Sequence, residues 1–252
     1  MRITDTAALV TGGASGLGGA TAAALAGKGA RVFALDLPGG IEKAPEVPGV
    51  TYVEADVTDP EQVQTAVEQA ASAGVPLRTV VNCAGIGPSA RILSRKGPHD
   101  LGLFKKVVEI NLIGTFTVLT LAAEAIAKTE PLEDDARGVV VNTASVAAFD
   151  GQIGQVAYSA SKGGVAGLTL PAARDLASQG IRVVTIAPGI IDTPMLATVS
   201  DEYRAGLAAS VPFPKRLGRP DEYAQLAVDI IEHDYLNGEV IRMDGSIRMA
   251  PR

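Results

Sequence analysis

Short runs of consecutive apolar residues alternate along the chain with longer segments of helical character, and this alternation restricts the fold more than any other feature. The apolar runs fall at Ala7–Val10, Arg31–Leu35, Val50–Glu54, Leu77–Val81, Val139–Asn142, Arg182–Ile186 and Glu239–Arg242. Helical patterning covers Leu17–Lys28, Glu61–Ala73, Leu101–Lys128, Val156–Ser178 and Glu222–Glu232. Strands that are apolar on both sides suit a parallel sheet covered on both faces. The pattern predicts an α/β fold in one domain over 1–252, with a doubly wound, mainly parallel, seven-stranded sheet flanked by helices. Asp36–Val50 and Glu130–Gly138 read as loops. A less regular, proline-bearing segment at about 190–219 reads as a lid over a site.

Composition narrows the function classes. A chain of 252 residues with net charge −6 lacks the clustered cationic excess that nucleic-acid binding requires, so nucleic acid is not expected as a main partner. Two histidines and one cysteine are too few for a histidine-based metal site, a Ser-His-Asp triad or an internal disulfide. No metal is expected. Met1–Val10 is too short and wrongly flanked for a signal peptide, and no apolar stretch reads as a membrane span free of polar interruption. The default location is the cytoplasm, without membrane insertion.

Thr11-Gly12-Gly13-Ala14-Ser15-Gly16-Leu17-Gly18 follows the first apolar run and opens the first helix. Glycines there let the backbone turn tightly and approach a pyrophosphate, whose charge the helix N-terminus favours. A tight strand-to-helix connection would read the same way. Asp36, at the end of the next strand, stands where a carboxylate holds the adenosine ribose hydroxyls of a Rossmann-bound dinucleotide. Its charge would repel a 2′-phosphate, and no Lys or Arg occupies positions 13–17 or 37–38. NAD is therefore preferred over NADP, although a solvated strand-end carboxylate is the plain alternative.

Ser145 follows the fifth strand, Tyr158 comes thirteen residues later, and Lys162 lies four beyond that on the same helical face. A free phenol titrates near 10 and is a poor base at neutral pH. A neighbouring ammonium and a positively charged nicotinamide would pull that value down, so that Tyr158 exchanges a proton with an alcohol or ketone. Ser145 would orient the substrate oxygen. Packing of Tyr158, a solvated Lys162 and a capping Ser145 are the alternatives.

Taken in order, Thr11–Gly18, Asn82-Cys83-Ala84-Gly85, Asn111, Ser145, Tyr158-Ser159-Ala160-Ser161-Lys162 and Pro188-Gly189 resemble the motifs of the classical short-chain dehydrogenase/reductase family, over essentially the whole chain. The resemblance implies catalysis by Asn111, Ser145, Tyr158 and Lys162, with Asn111 holding a proton-relay water. It implies NAD contacts from Gly12, Ser15, Gly16, Leu17, Gly18, Asp36, from Asp56 and Val57 at the adenine, and from the backbone of Cys83, Ala84 and Gly85. Tyr158, Lys162, Pro188, Ile191 and Thr193 would complete the nicotinamide end. Cys83 departs from the second Asn of many members; its thiol reads as buried and inert.

Within that family, Asn142–Phe149, Gly151-Gln152, Thr169-Leu170-Pro171, Val211-Pro212-Phe213-Pro214, Arg216-Leu217-Gly218 and Asn237–Arg242 are similar to the type-2 3-hydroxyacyl-CoA dehydrogenase group, also described as type-10 17β-hydroxysteroid dehydrogenases. That likeness implies a small-molecule substrate, an acyl-CoA, with Gln152 and Gln155 near it. Lys96, Lys105, Lys106, Lys215 and Arg216 are candidate phosphate partners, each equally readable as a solvated surface charge. It also implies a homotetramer assembled through the Tyr158 helix and the last strand; Gly163, Gly164 and Pro171 are the residues that suggest close approach there, to another subunit or to the sheet. Reduction of 3-ketoacyl groups on acyl carrier protein, and steroid or small-alcohol oxidation, are alternatives on the same scaffold. A non-catalytic NAD-binding regulatory subunit is the alternative from another class.

Overall fold

The computed structural model describes residues 1–196 and 200–251. Seven strands, β1 (Ala7–Thr11), β2 (Arg31–Asp36), β3 (Val50–Glu54), β4 (Leu77–Asn82), β5 (Gly138–Thr143), β6 (Ile181–Pro188) and β7 (Val240–Met243), form one sheet in the order β3-β2-β1-β4-β5-β6-β7. Every pairing is parallel, so the expected sheet is present and parallel throughout. Strands β1, β4 and β5 are buried at every position because helices cover both faces.

On one face lie α2 (Pro60–Ala71), the long helix α3 (Leu101–Ala127) and α4 (Val156–Asp175), packing Val63, Val67, Val118 and Ile126 against the sheet. On the other lie α1 (Gly16–Gly27) and α6 (Pro220–Glu232), contributing Leu25, Tyr223, Ala227 and Ile230. Chain order reverses between β1 and β4, the switch point where such sheets bind ligands at their carboxyl ends.

Four local features were not expected. Helix α3 is interrupted by a π-helical turn over Glu109–Gly114. A two-residue hairpin pairs Leu93–Ser94 with Gly97–Pro98. The proline-bearing lid segment contains a regular helix, α5 (Asp201–Ser210), capped by the Ser200 hydroxyl; positions 197–199 of that segment lie outside the described residues. A short helix, Pro38–Ile41, also sits in the first expected loop.

Helix α3 is long and apolar enough to cross a bilayer by length and composition alone. Its inward residues Val107, Val118, Leu119, Ala122 and Ile126 are core, which accounts for the apolar content. The glycines of α4 also separate. A Cβ on Gly164 would press within 2.7 Å of Leu112, so that glycine serves packing inside the chain, whereas Gly163 and Gly167 face open space.

Candidate active site

The glycine loop fits a pyrophosphate. Gly12 and Gly16 hold φ of +63° and +54°, a region that disfavours side chains. A Cβ on Gly12 would meet the Ala84 backbone at 3.0 Å, and one on Gly18 would overlap the Gly12 carbonyl. The amino end of α1 is left open for an anion. Its N-cap, Ser15, makes no side-chain cap, no acidic residue occupies the first turn, and Leu17 packs back towards the core. Across the loop, Thr193 stands 3.7 Å from the position of a Gly16 Cβ.

Asp36 ends β2 with its carboxylate fixed. Oδ2 accepts from the Ala14 N–H at 3.0 Å and Oδ1 from the Leu37 N–H at 2.8 Å, leaving lone pairs for hydroxyl donors. Asp56 is held by Thr58 through its N–H and hydroxyl, at 2.9 and 2.8 Å. Val57 is buried against Gly114, so only its backbone is placed to reach a ligand.

The segment after β4 differs from expectation in one detail. The Thr11 hydroxyl accepts the N–H groups of both Cys83 and Ala84, each at 3.1 Å, so neither is free for a cofactor. Any contact from Cys83 and Ala84 falls to their carbonyls, with Gly85 beside them. Burial pushes the Cys83 thiol up from its usual value, in keeping with an unreactive group.

Asn111 lies in the π-turn of α3, a feature common at functional sites because it re-aims one residue. Its amide accepts from the Ile86 N–H at 2.8 Å and donates to the Ile86 carbonyl and the Ser161 hydroxyl, at 2.9 and 3.1 Å. The side chain thus braces the 84–87 segment. Gly85 brings it towards Lys162: a Cβ there would lie 3.1 Å from Asn111 Oδ1 and 3.6 Å from Lys162 Nζ.

Ser145 is both a cap and a site hydroxyl. Its Oγ accepts from the Ala147 N–H at 3.1 Å, and it also faces Tyr158 as a hydrogen-bond partner that favours the phenolate. Burial outweighs that partner and raises the Tyr158 phenol above its ordinary value. In the protein alone the Lys162 ammonium does not offset that rise. Lys162 Nζ donates to the Thr143 carbonyl at 2.8 Å and sits 5.9 Å from the Tyr158 ring centroid. Burial lowers Lys162 itself to about 8.

Gln152 and Gln155 sit on the loop before α4. Gln155 Oε1 accepts from the Gln152 N–H at 3.0 Å, and Gln152 Nε2 donates to the Ala250 carbonyl at 2.9 Å. Gln152 lines a cavity of about 710 Å³ with Ile190, Tyr203, Leu207 and Met249; Gln155 is not on its wall. Pro188 ends β6, and Ile191 is buried beyond it. Of the candidate phosphate partners, Arg216 is committed to Glu222 by two hydrogen bonds of 2.6 and 2.8 Å, whereas Lys96, Lys105, Lys106 and Lys215 are exposed. Sequence reasoning missed Met195, whose sulfur lies 3.2 Å from a Gly87 Cβ position that also faces Tyr158. A lone Met in an irregular segment gives no periodic signal.

A parallel sheet with a glycine loop at its switch point and a Ser-Tyr-Lys set at the ends of its middle strands, Ser145 and Lys162 buried and Tyr158 half-buried, defines a nucleotide-dependent oxidoreductase. The model of the short chain dehydrogenase family matches residues 6–204, and the chain belongs to that family. It is similar to the 3-hydroxyacyl-CoA dehydrogenase type-2 of Bos taurus, 52% identical over 97% of this chain and 95% of the relative. The protein of the same description from Drosophila melanogaster is 52% identical over 99% of this chain and all of its own length. The crystal structure of 3-hydroxyacyl-CoA dehydrogenase type-2 from Mycobacterium avium superposes with a TM-score of 0.92 at 44% identity, covering 98% of each chain.

Proposed function

We propose that the protein is an NAD-dependent dehydrogenase that interconverts 3-hydroxyacyl-CoA and 3-ketoacyl-CoA, working as a cytoplasmic homotetramer. The observation that carries the chemistry is the meeting of Ser145, Tyr158 and Lys162 beside a glycine loop whose neighbouring strand ends in a fixed carboxylate. The half-identity to type-2 enzymes over nearly the full chain supports the acyl-CoA substrate. Asp36 supports NAD, because a 2′-phosphate would meet its charge with no cation alongside.

When bound, NAD would supply the acceptor for the hydride that leaves the carbinol carbon. Gly12, Ser15, Gly16, Leu17 and Gly18 would hold its pyrophosphate, Asp36 its adenosine ribose, and Asp56 and the Val57 backbone its adenine. Cys83 to Gly85, Pro188, Ile191 and Thr193 would border the ribose and nicotinamide, with Tyr158 and Lys162 opposite. Ser145 retains a hydroxyl proton to donate to the substrate oxygen, which fixes that oxygen before Tyr158. Tyr158 Oη accepts the alcohol proton in oxidation and returns one in reduction. Its raised value, with Ser145 already beside it, means that the protein alone does not supply the pull towards phenolate; the cofactor's positive charge would. Lys162 would pass the proton onward to a relay water held at Asn111. Segment 190–219 would close over the substrate, with Gln152 on the cavity wall and Gln155 bracing it.

The test is NADH consumption with acetoacetyl-CoA, beside acetoacetyl-acyl carrier protein, a steroid ketone and NADPH. Turnover with the CoA ester and NADH bears the proposal out. Turnover only with the carrier-protein substrate or the steroid keeps the chemistry and replaces the substrate. NADH binding without turnover favours a regulatory subunit.

A further inference from the structure

Lys162 is held from behind by a residue that the proposed chemistry does not use. Its ammonium donates to the main-chain carbonyl of Thr143, the last residue of β5. The Thr143 hydroxyl donates to the Asn82 carbonyl at 2.5 Å, which spends its single proton. The Tyr223 oxygen lies 2.6 Å from that same hydroxyl, so the proton between them belongs to Tyr223. Behind Tyr223, the Cys83 thiol donates at 3.7 Å. A line of donors therefore runs Cys83 to Tyr223 to Thr143 to Asn82, ending beside the peptide that anchors Lys162.

Tyr223 is wholly buried, on the inner face of α6, amid Val10, Val81, Val141 and Ile186. A phenylalanine would fill that space without a polar atom to satisfy, and burying a hydroxyl costs free energy unless it is bonded. We infer that Tyr223 is a positioning residue for Lys162, clamping the Thr143 peptide through the Thr143 hydroxyl so that its carbonyl stays aimed at the ammonium. The residue next to it, Glu222, bonds Arg216 and the Arg219 N–H at the foot of the lid segment, so the same turn of α6 touches both the lid and the lysine anchor.

The inference rests on the reading of Lys162 as catalytic. Its test is steady-state kinetics of the holoenzyme with NADH and acetoacetyl-CoA. Tyr223→Phe keeps the ring and is expected to lower kcat about five- to tenfold, the worth of one buried hydrogen bond, with KM unchanged. Thr143→Val should match it and Thr143→Ser should restore the rate. In a Lys162→Met background, Tyr223→Phe should remove nothing further; a multiplicative loss there marks a general packing role and overturns the inference. An unchanged kcat for Tyr223→Phe, where Lys162→Met alone cuts kcat to a small but measurable residue, overturns it while leaving the lysine reading intact. An unaffected rate in Lys162→Met overturns both. A readout independent of turnover is the Lys162 ammonium resonance of the apoprotein, expected to broaden in Tyr223→Phe; an identical signal counts against the clamp.

Discussion

Tyr158 and Lys162 share a helical face, yet their environments do opposite things to them. Burial raises the phenol and lowers the ammonium to about 8, so each is pushed towards its neutral form. Alcohol oxidation needs the phenolate. Its rate should climb close to tenfold per pH unit from neutral into alkaline solution, whereas ketone reduction should be flat and then fall. Stopped-flow NADH fluorescence in both directions measures this, and Tyr158→Phe should abolish both limbs while leaving NADH affinity nearly intact. For Lys162 the linkage is explicit. Below about pH 8 both folded and unfolded states carry the charge, and the folded state bears its full desolvation cost. Between 8 and the ordinary 10.5 the unfolded chain binds more protons, so stability rises with pH. Lys162→Met should therefore raise Tm near neutrality by several degrees, on the order of 3 kcal/mol less the lost bond to Thr143. That gain should shrink towards pH 10.5, and calorimetry at pH 7 and 10 decides it. The pairing was legible from an i, i+4 spacing. The sign of the phenol shift was not, because it depends on how deeply α4 is buried and on Lys162 turning to a carbonyl.

Among elements, every strand of the seven-stranded sheet and every long helix was legible, since each carries a continuous apolar run or a helical stripe. What escaped reading were features whose signal is a single residue. The π-turn at Asn111 adds one residue to a turn inside an otherwise regular pattern. Helix α5 had a legible start, Ser200 followed by Asp201 and Glu202, hidden by the prolines on either side. A third unread feature joins distant elements. Arg242 at the end of β7 donates to Asp150 at 2.6 Å, Asp244 at 2.8 Å and the Ile247 carbonyl at 3.0 Å, with its guanidinium carbon 5.4 Å from the Phe149 ring centroid. The Ile153 N–H donates to the Pro251 carbonyl at 3.0 Å, and Gln152 to Ala250. The last strand and the residues after it thereby hold the loop that joins Ser145 to Tyr158. Removing the cation strands the Asp150 carboxylate, 20% exposed, and leaves the 8% exposed Asp244 with only Arg248 and the Ser246 N–H. Arg242→Met should cost about 2 kcal/mol and lower Tm by about 4–8 °C. Hydrogen exchange at Ile153 should accelerate with it; an unchanged rate there would mean that the tail is held by other bonds.

At the scale of the molecule, some of the apolar residues left in solvent sit on neighbouring helices. Ile113 and Phe116 on α3 and Leu170 on α4 are 43%, 53% and 44% exposed, on two helices that pack together on one face of the sheet. Gly163 and Gly167 beside them would meet nothing within 4 Å if given a Cβ, so α4 presents a flat surface that another backbone can approach. Apolar side chains around a flat helical face suit burial between subunits. The proposed homotetramer uses two kinds of contact, this helical face and the last strand. A charge placed in the first should break one and spare the other. Phe116→Glu combined with Leu170→Glu is therefore expected to convert tetramers into dimers, with the monomer fold and its Tm little changed because neither side chain is core. Sedimentation velocity distinguishes the outcomes. Dimers in the double variant place the helical face between subunits, whereas a wild-type monomer removes the assembly from the proposal while leaving the chemistry, which draws every catalytic group from one chain, where it stands.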